Sequence, residues 1–114
     1  MNPFQICKVF GDRYLLLIMA ATYIKPRSAR EVSKLLKISI PVAYRKIDIL
    51  EKMGLIKCSK SVLTRSGKRL KLYEPTTDKI ELVLDGSKLK SITRNSDPHQ
   101  KTNTISLDKE LVEN

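Results

Sequence analysis

Tryptophan is absent from the 114-residue sequence, which also holds only two cysteines, one histidine and four glycines. Cys7 and Cys58 are too few for a disulfide framework and form no CxxC pair for a metal, so we expect two small, buried hydrophobic side chains in a reducing cytoplasm. His99 lies in a polar C-terminal stretch, and no Ser/His/Asp set or Gly-rich phosphate loop occurs. We therefore expect no catalytic residues, no metal site, no cofactor and no enzymatic activity.

Long hydrophobic runs are also missing. The longest apolar run, residues 15–21, is much shorter than the about 20 residues that a membrane-spanning helix needs. Asp12 lies just before this run, and no small-residue cleavage site follows it, which argues against a signal peptide. The sequence predicts a soluble, cytoplasmic protein without a membrane partner.

Acidic residues are scarce in the first two-thirds of the chain. Residues 1–75 contain 16 Lys/Arg and 5 Asp/Glu, a net charge of +11, whereas residues 76–114 contain 6 and 7, a net charge of −1. The excess positive charge therefore belongs to one part of the chain. This asymmetry is typical of a module that binds a polyanion and carries an appendix with another role.

Residues 3–24 predict two helices separated by Gly11. In the second, Asp12 is placed to cap the N-terminus, and apolar residues cover most sides, with Tyr14, Leu17, Ile18 and Ala21 forming one stripe. A helix that is apolar on most sides must be buried on most sides. This pattern predicts a central core helix or a dimer interface.

Two shorter helices follow. Ser28 and Glu31 have the spacing of a capping box that starts a helix at residues 29–36, with Val32, Leu35 and Leu36 on one face. After a tight turn, a helix at residues 40–53 shows the spacing i, i+4, i+7 of a buried stripe. The capping residue of this helix, the proline of its first turn, its stripe and the glycine that ends it are Ser39, Pro41, Ala43, Ile47, Leu50 and Gly54.

The remaining sequence predicts two β-hairpins. The first covers residues 57–74, turns at Ser66–Gly67 and has no acidic residue before Glu74. Its basic residues are Lys57, Lys60, Arg65, Lys68, Arg69 and Lys71. A second hairpin at residues 77–94 turns at Asp85–Gly86, and residues 95–114 form a polar tail that we expect to be flexible. The predicted domains are therefore 1–76, 77–94 and 95–114.

The order of helix, helix, short turn, helix and basic hairpin is typical of an α+β winged helix-turn-helix, with an additional C-terminal β-hairpin. In such a fold the helix at 40–53 enters the major groove of double-stranded DNA, where each base pair shows a distinct pattern of donors and acceptors. The hairpin at 57–74, the wing, contacts the backbone or the minor groove. The expected DNA-binding residues are Ser39, Pro41, Val42, Tyr44, Arg45, Lys46, Arg65, Lys68 and Arg69.

The expected contacts within this set differ. Arg45 can read guanine O6 and N7 through its guanidinium, Val42 can touch a thymine methyl group, and Lys46 is placed to contact a phosphate. Tyr44 has two interpretations: it contacts the nucleic acid, or it packs against the helix at 29–36 as a residue at the rim of the core.

Residues 9–75 also resemble the winged-helix core of ArsR-like transcriptional regulators of the archaeal type. The similar segments are "GD" before an apolar helix, "SAREVSKLLKIS", "PVAYRKIDILEKMGLI" and "GKRLKLYEP". The resemblance implies a homodimeric DNA-binding regulator. Metal-sensing members carry cysteines on the helix-turn-helix, and this sequence has none between Cys7 and Cys58, so no metal site is carried over. The C-terminal hairpin departs from the family's dimerising helix, and the apolar N-terminal helices, 4–24, are the alternative dimer interface.

Two other functions fit parts of the pattern. A winged helix can bind RNA, or DNA without sequence preference, and the charge of the hairpin suits that function equally well. A winged helix can also serve as a protein-interaction module, although the +11 segment argues against it.

Overall fold

The chain is an α+β protein in which helices precede antiparallel hairpin strands, as the sequence predicts. The computed structural model describes residues 1–95 and 100–111. Within these ranges lie the helices α1 (Pro3–Phe10), α2 (Arg13–Ile24), α3 (Ala29–Leu36) and α4 (Ile40–Lys52), the strands β1 (Ile56–Leu63), β2 (Arg69–Pro75), β3 (Thr77–Asp85), β4 (Lys88–Asn95) and β5 (Gln100–Ser106), and a 3-10 helix (Leu107–Glu110). None of the described helices has the length and apolar character needed to cross a membrane.

The chain divides into two compact units that do not match the predicted domains. Asp12–Thr76 forms the helix–hairpin unit, which contains α2, α3, α4, β1 and β2. Met1–Gly11 joins the described part of Thr77–Asn114 in the sheet unit. The prediction placed α1 with the helices that follow it in sequence, but α1 packs on β3, β4 and β5 instead. Sequence proximity could not reveal this pairing, because its partners lie more than 60 residues away.

Local hydrogen bonds define the helix starts of the helix–hairpin unit as predicted. The Asp12 carboxylate accepts from the backbone N–H groups of Tyr14 and Leu15, which starts α2. Ser28 and Glu31 form the reciprocal capping box of α3. Ser39 Oγ accepts from the N–H of Val42 at the start of α4. These caps satisfy donors that the first helical turn leaves without a partner.

The buried face of α4 is also as predicted, whereas the predicted faces of α2 and α3 are correct only in part, at Ile18 and Val32. Ala43, Ile47 and Leu50 are all buried. In α2, Leu17 is 38% exposed, and in α3, Leu35 is 52% exposed. The residues buried in α2 are Leu15, Ile18 and Thr22, and those in α3 are Ala29, Val32 and Ser33. Periodicity misses part of each buried face because α2 is apolar almost all round and because small hydroxyl residues are buried in both helices.

The hairpin of β1 and β2 is joined to the start of α3 by a short bridge. Leu63 pairs with Arg69 near the tip, and Cys58 pairs with Tyr73 near the base, with a bulge between Cys58 and Lys60. The backbone of Arg27 exchanges two hydrogen bonds with that of Tyr73, at N···O distances of 3.1 and 2.8 Å. The bridge holds the base of the hairpin beside the N-terminus of α3.

The sheet unit contains one strand that the sequence reading assigned to a flexible tail. β4 is central, with β3 and β5 antiparallel on its two sides. The prediction of a tail without structure at 95–114 is wrong for Gln100–Ser106, which pairs with β4 along its length. Its polar composition hid it, although Thr102, Thr104 and Ile105 are β-branched residues that favour strands. α1 buries Ile6 and Val9 in this unit. His99 lies outside the described residues.

Candidate nucleic-acid interface

The N-terminal half of α4 presents an open polar face opposite its buried stripe. Pro41, Tyr44 and Arg45 are exposed, and Val42 is half-buried beside them. Tyr44 has 51% of its surface exposed, which fits both of its predicted roles, a contact with nucleic acid and a residue at the rim of the core. Ala43 and Ile47 hold the other side of the helix in the core, which fixes the direction in which the open face points.

The start of α4 favours negatively charged partners. Its first turn contains no acidic residue, and Ser39, the capping residue, is exposed. The unpaired amide groups of a helix N-terminus carry partial positive charge, which attracts phosphate and carboxylate groups. The positions of Ser39 and Arg45 thus bring a helix terminus and a guanidinium to the same surface.

Lys46, predicted as a phosphate contact, is instead bound within the protein. Its ammonium group contacts the Asp12 carboxylate at 2.5 Å, and the two side chains are 25% and 26% exposed. The hydrogen bond from Lys46, together with the backbone N–H groups of Tyr14 and Leu15, lowers the pKa of Asp12 below its ordinary value against the opposing effect of desolvation. Lys46 therefore joins α4 to the start of α2 and is the least available cation of the predicted set.

The turn between α3 and α4 has a defined and strained geometry. Lys37 is the one non-glycine residue with positive φ among those that the structure describes, at φ 55° and ψ 46°. Buried Ser33 closes the turn, because its carbonyl accepts from the N–H of Ile38 and its hydroxyl donates to the Ile38 carbonyl at 2.5 Å. These bonds determine how the open face of α4 is presented relative to α3.

The tip of the β1–β2 hairpin is basic and held by its own hydrogen bonds. Arg65 and Lys68 lie in the connecting loop and are exposed. The N–H of Thr64 donates to the Lys68 carbonyl at 2.8 Å, and the N–H of Gly67 donates to the Thr64 carbonyl at 3.0 Å. Gly67 has φ +78°, a conformation that side chains disfavour. The two cations are thus carried on an ordered turn.

One face of β2 carries Arg69, Lys71 and Tyr73, because side chains two residues apart lie on the same side of a strand. These residues line a cleft of about 280 Å³ between the hairpin, α3 and α4. Its lining consists of Ser28, Ala29, Tyr44, Arg69, Leu70, Lys71 and Tyr73. Tyr44 and Arg69, predicted from separate elements, are therefore brought together.

Lys71 was not among the predicted contact residues, although it lies between Arg69 and Tyr73 in the lining of this cleft. The alternation of Leu70 and Leu72 with Arg69, Lys71 and Tyr73 in the sequence contains the signal that could have found it, since alternate residues of a strand share a face. Predicting the cleft itself required knowing that the start of α3 lies beside β2.

Two acidic residues of α3 and α4 form contacts within the protein, whereas burial raises the pKa of Tyr73 and Glu51 lies close enough to raise it further. Glu31 accepts from the backbone N–H and hydroxyl of Ser28, and Asp48 pairs with Lys52 one turn along α4 at 2.9 Å. No carboxylate lines the cleft. The described residues include no group of three or more His, Cys, Asp or Glu side chains placed to hold a metal ion.

Comparison with models of known protein families gives no match, and comparison with curated proteins gives no relative.

Proposed function

We propose that the protein is a sequence-specific, double-stranded DNA-binding transcriptional regulator with a winged helix-turn-helix, in which α3 and α4 form the helix-turn-helix and β1–β2 the wing. The observation that carries this proposal is the acid-free, exposed first half of α4 beside a basic hairpin. The net charge of +11 on residues 1–75 supports a polyanionic partner. The resemblance of residues 9–75 to ArsR-like regulators supports the same function.

In this proposal α4 enters the major groove and reads bases from its N-terminal half. Arg45 contacts guanine, since its guanidinium can donate to O6 and N7 together, and Val42 contacts a thymine methyl group. Pro41 shapes the first turn without blocking the approach. The N-terminal amides of α4 and Ser39 bind a phosphate, which positions the helix without reading sequence.

The wing supplies affinity that depends on salt. Arg65, Lys68 and Arg69 contact phosphates, and each phosphate neutralised by a cation releases counterions. Lys71 lies on the same strand face as Arg69 and extends this set. Lys46 acts indirectly, because its pair with Asp12 sets the position of α4.

The regulator is proposed to act as a homodimer through the exposed face of α2. Successive turns of this helix leave one continuous surface exposed, made of Arg13, Leu16, Leu17, Ala20, Tyr23 and Ile24. The apolar sequence of residues 4–24 predicts that both N-terminal helices dimerise. We propose α2 alone as the interface, because α1 uses its apolar side chains Ile6 and Val9 within the sheet unit. A two-fold dimer would read half-sites about 34 Å apart.

The test is selection of bound duplexes from a random pool, followed by titration of the selected and a scrambled duplex at several salt concentrations. We expect an enriched, two-fold symmetric site and an affinity at least about 10³-fold above that for the scrambled duplex. Equal affinity for both duplexes would favour the alternative of non-specific DNA or RNA binding. Failure to bind any nucleic acid at low salt would favour a protein-interaction module.

A further inference from the structure

The cleft between the hairpin and the helices is larger than one DNA phosphate requires. Its volume is about 280 Å³. Because one water molecule takes up about 30 Å³ in the liquid, the cleft has room for about nine waters. The cleft is slightly smaller than the about 300 Å³ at which binding sites for drug-sized molecules begin, so it suits a ligand no larger than one with a single ring system.

The walls of the cleft divide into a charged rim and a partly apolar floor. Arg69 and Lys71 project from the exposed side of β2 at the rim. The ring of Tyr44 forms one side, and Ala29 adds aliphatic surface. A ring can stack on the tyrosine while an anionic substituent lies between the two cations.

A buried tyrosine at the bottom of the cleft supplies an unpartnered donor. Tyr73 is 4% exposed, and its hydroxyl has no hydrogen-bond partner among the described residues. The Tyr73 hydroxyl is not among the described unpartnered side-chain atoms that are sealed from solvent, and Tyr73 lines the cleft, which gives this donor a route to a bound ligand. Burial raises the pKa of Tyr73 above its ordinary value, with smaller contributions from Glu51 and other groups, and so keeps the hydroxyl protonated as a donor.

The N-terminus of α3 adds two further donors at the same place. The N–H of Glu31 donates to Ser28 Oγ, but no acceptor among the described residues takes the N–H of Ala29 or Arg30. Ala29 lines the cleft. Two cations, free helix amides and a phenol hydroxyl together match a group with a charge close to −2 and several acceptor oxygens, which describes a phosphate monoester at neutral pH.

We propose that this cleft binds a small phosphate monoester carried on a planar ring, and that the bound ligand competes with DNA. The phosphate lies between Arg69, Lys71 and the first amides of α3, and the ring packs against Tyr44. The competition rests on the proposed function, because Tyr44 and Arg69 belong to the surface assigned to DNA. Binding of the ligand to the free protein does not depend on that assignment.

The first experiment is a calorimetric titration of the free, full-length protein with phenyl phosphate, and separately with inorganic phosphate, at constant ionic strength. We expect saturable one-to-one binding of phenyl phosphate that is about tenfold tighter than that of inorganic phosphate, since stacking on a tyrosine adds to the ionic contacts. Equal affinities for the two probes would overturn the ring contact, and a lack of saturable binding would overturn the site.

Paired variants separate the site from general attraction to a basic protein. Arg69→Gln with Lys71→Gln should weaken phenyl phosphate binding about tenfold or more, because hydrogen bonds to charged groups are lost. The matched control, Lys60→Gln with Lys101→Gln, removes the same charge from exposed positions outside the cleft and should leave the affinity within about twofold. Equal losses in both double variants would overturn the proposal.

Tyr73→Phe tests the buried hydroxyl while keeping the ring that packs in the core. We expect about a three- to tenfold loss of affinity for phenyl phosphate with an unchanged thermal midpoint. Unchanged affinity would remove Tyr73 from the site.

The last experiment adds phenyl phosphate to the protein bound to a DNA duplex that the protein selects from the random pool. Phenyl phosphate should displace this duplex at concentrations where inorganic phosphate does not. If the charge-removing variant of Arg69 and Lys71 weakens duplex binding while phenyl phosphate does not bind the free protein, the cleft holds a DNA phosphate and the small-ligand proposal is overturned. If no duplex is ever selected, the proposed function fails, and the titration of the free protein still decides the ligand site.

Discussion

Lys46 of α4 forms an ion pair with Asp12, the same residue whose carboxylate caps α2. The Asp12 side chain thus caps the N-terminus of α2 and also binds Lys46 of α4, which lies 34 residues further along the chain. Since the open face of α4 is the proposed reading surface, this pair connects the stability of the unit to the presentation of Arg45.

The first prediction concerns this pair. Asp12→Asn keeps an oxygen that can cap α2 but removes the charge, so we expect the free energy of unfolding at pH 7 to fall by about 0.5–1.5 kcal/mol. The pKa of Asp12 is lowered in the folded protein, so its contribution is present above the ordinary value of 3.8 and is lost as pH falls through the folded value. Urea unfolding at pH 7 and near pH 2 should show a difference in stability between the variant and the unmodified protein at the higher pH only.

Asp48→Asn, which breaks the exposed Asp48–Lys52 pair, is the control and should lower the free energy of unfolding by a smaller amount. Equal losses would contradict a special role for Asp12.

The second prediction concerns base reading. Arg45→Ala should weaken binding to the selected duplex by about 1–3 kcal/mol and relax the preference at one base position, as for a bidentate guanine contact. Repeating the duplex selection with the variant measures this. Lys52→Ala, at the exposed C-terminal end of α4, should leave the preference unchanged. A uniform loss across all sequences would assign Arg45 to a phosphate.

The third prediction concerns the wing. Lys68→Gln with Arg69→Gln should weaken binding to all duplexes alike and flatten the slope of log affinity against log salt by up to about two units. Lys88→Gln with Lys101→Gln removes the same charge from exposed positions of the sheet unit and should change the slope little. If the slope of the wing variant matches that of the unmodified protein, the hairpin does not reach phosphate.

The fourth prediction concerns the turn between α3 and α4. Left-handed backbone costs a residue with a side chain about 1 kcal/mol, and Lys37 adopts it at φ 55°. Lys37→Gly should therefore raise the free energy of unfolding by up to about 1 kcal/mol, whereas Lys37→Val should lower it, because β-branched residues tolerate this conformation poorly. Thermal and urea unfolding of both variants test the order. Equal stability of the two would contradict the strain.

The fifth prediction concerns association. Leu17→Lys with Ile24→Lys places two charges on the exposed face of α2 and should convert a dimer to a monomer without unfolding it, because neither side chain lies in the core. Sedimentation equilibrium measures the mass. Leu84→Lys, at an exposed leucine of the sheet unit, is the control and should remain dimeric. A monomeric unmodified protein would remove the dimer from the proposal.

Features of the site that depend on residues close together in sequence could be predicted, whereas those that depend on residues far apart in sequence could not. Ser39, Tyr44 and Arg45 were placed on the open face of α4 because Ala43, Ile47 and Leu50 mark the buried side by spacing alone. The pairing of Lys46 with Asp12 could not be read in the same way, since neither residue carries any local sign of the other. The sequence therefore predicts that Lys46 contacts a phosphate of the nucleic acid, whereas in the structure Lys46 binds Asp12.

The sequence by itself determined the features that arise within a few residues of chain: the caps at Asp12, Ser28 and Ser39, the buried stripe of α4, and the two hairpin turns. Each rests on a hydrogen bond or a periodicity that spans at most two helical turns. Tertiary structure alone decided that α1 packs with the C-terminal strands, that β5 joins β4, and that Tyr44, Arg69 and Tyr73 line one cleft. These outcomes depend on which apolar faces and open strand edges find one another in the folded chain, and such partners carry no fixed spacing in sequence.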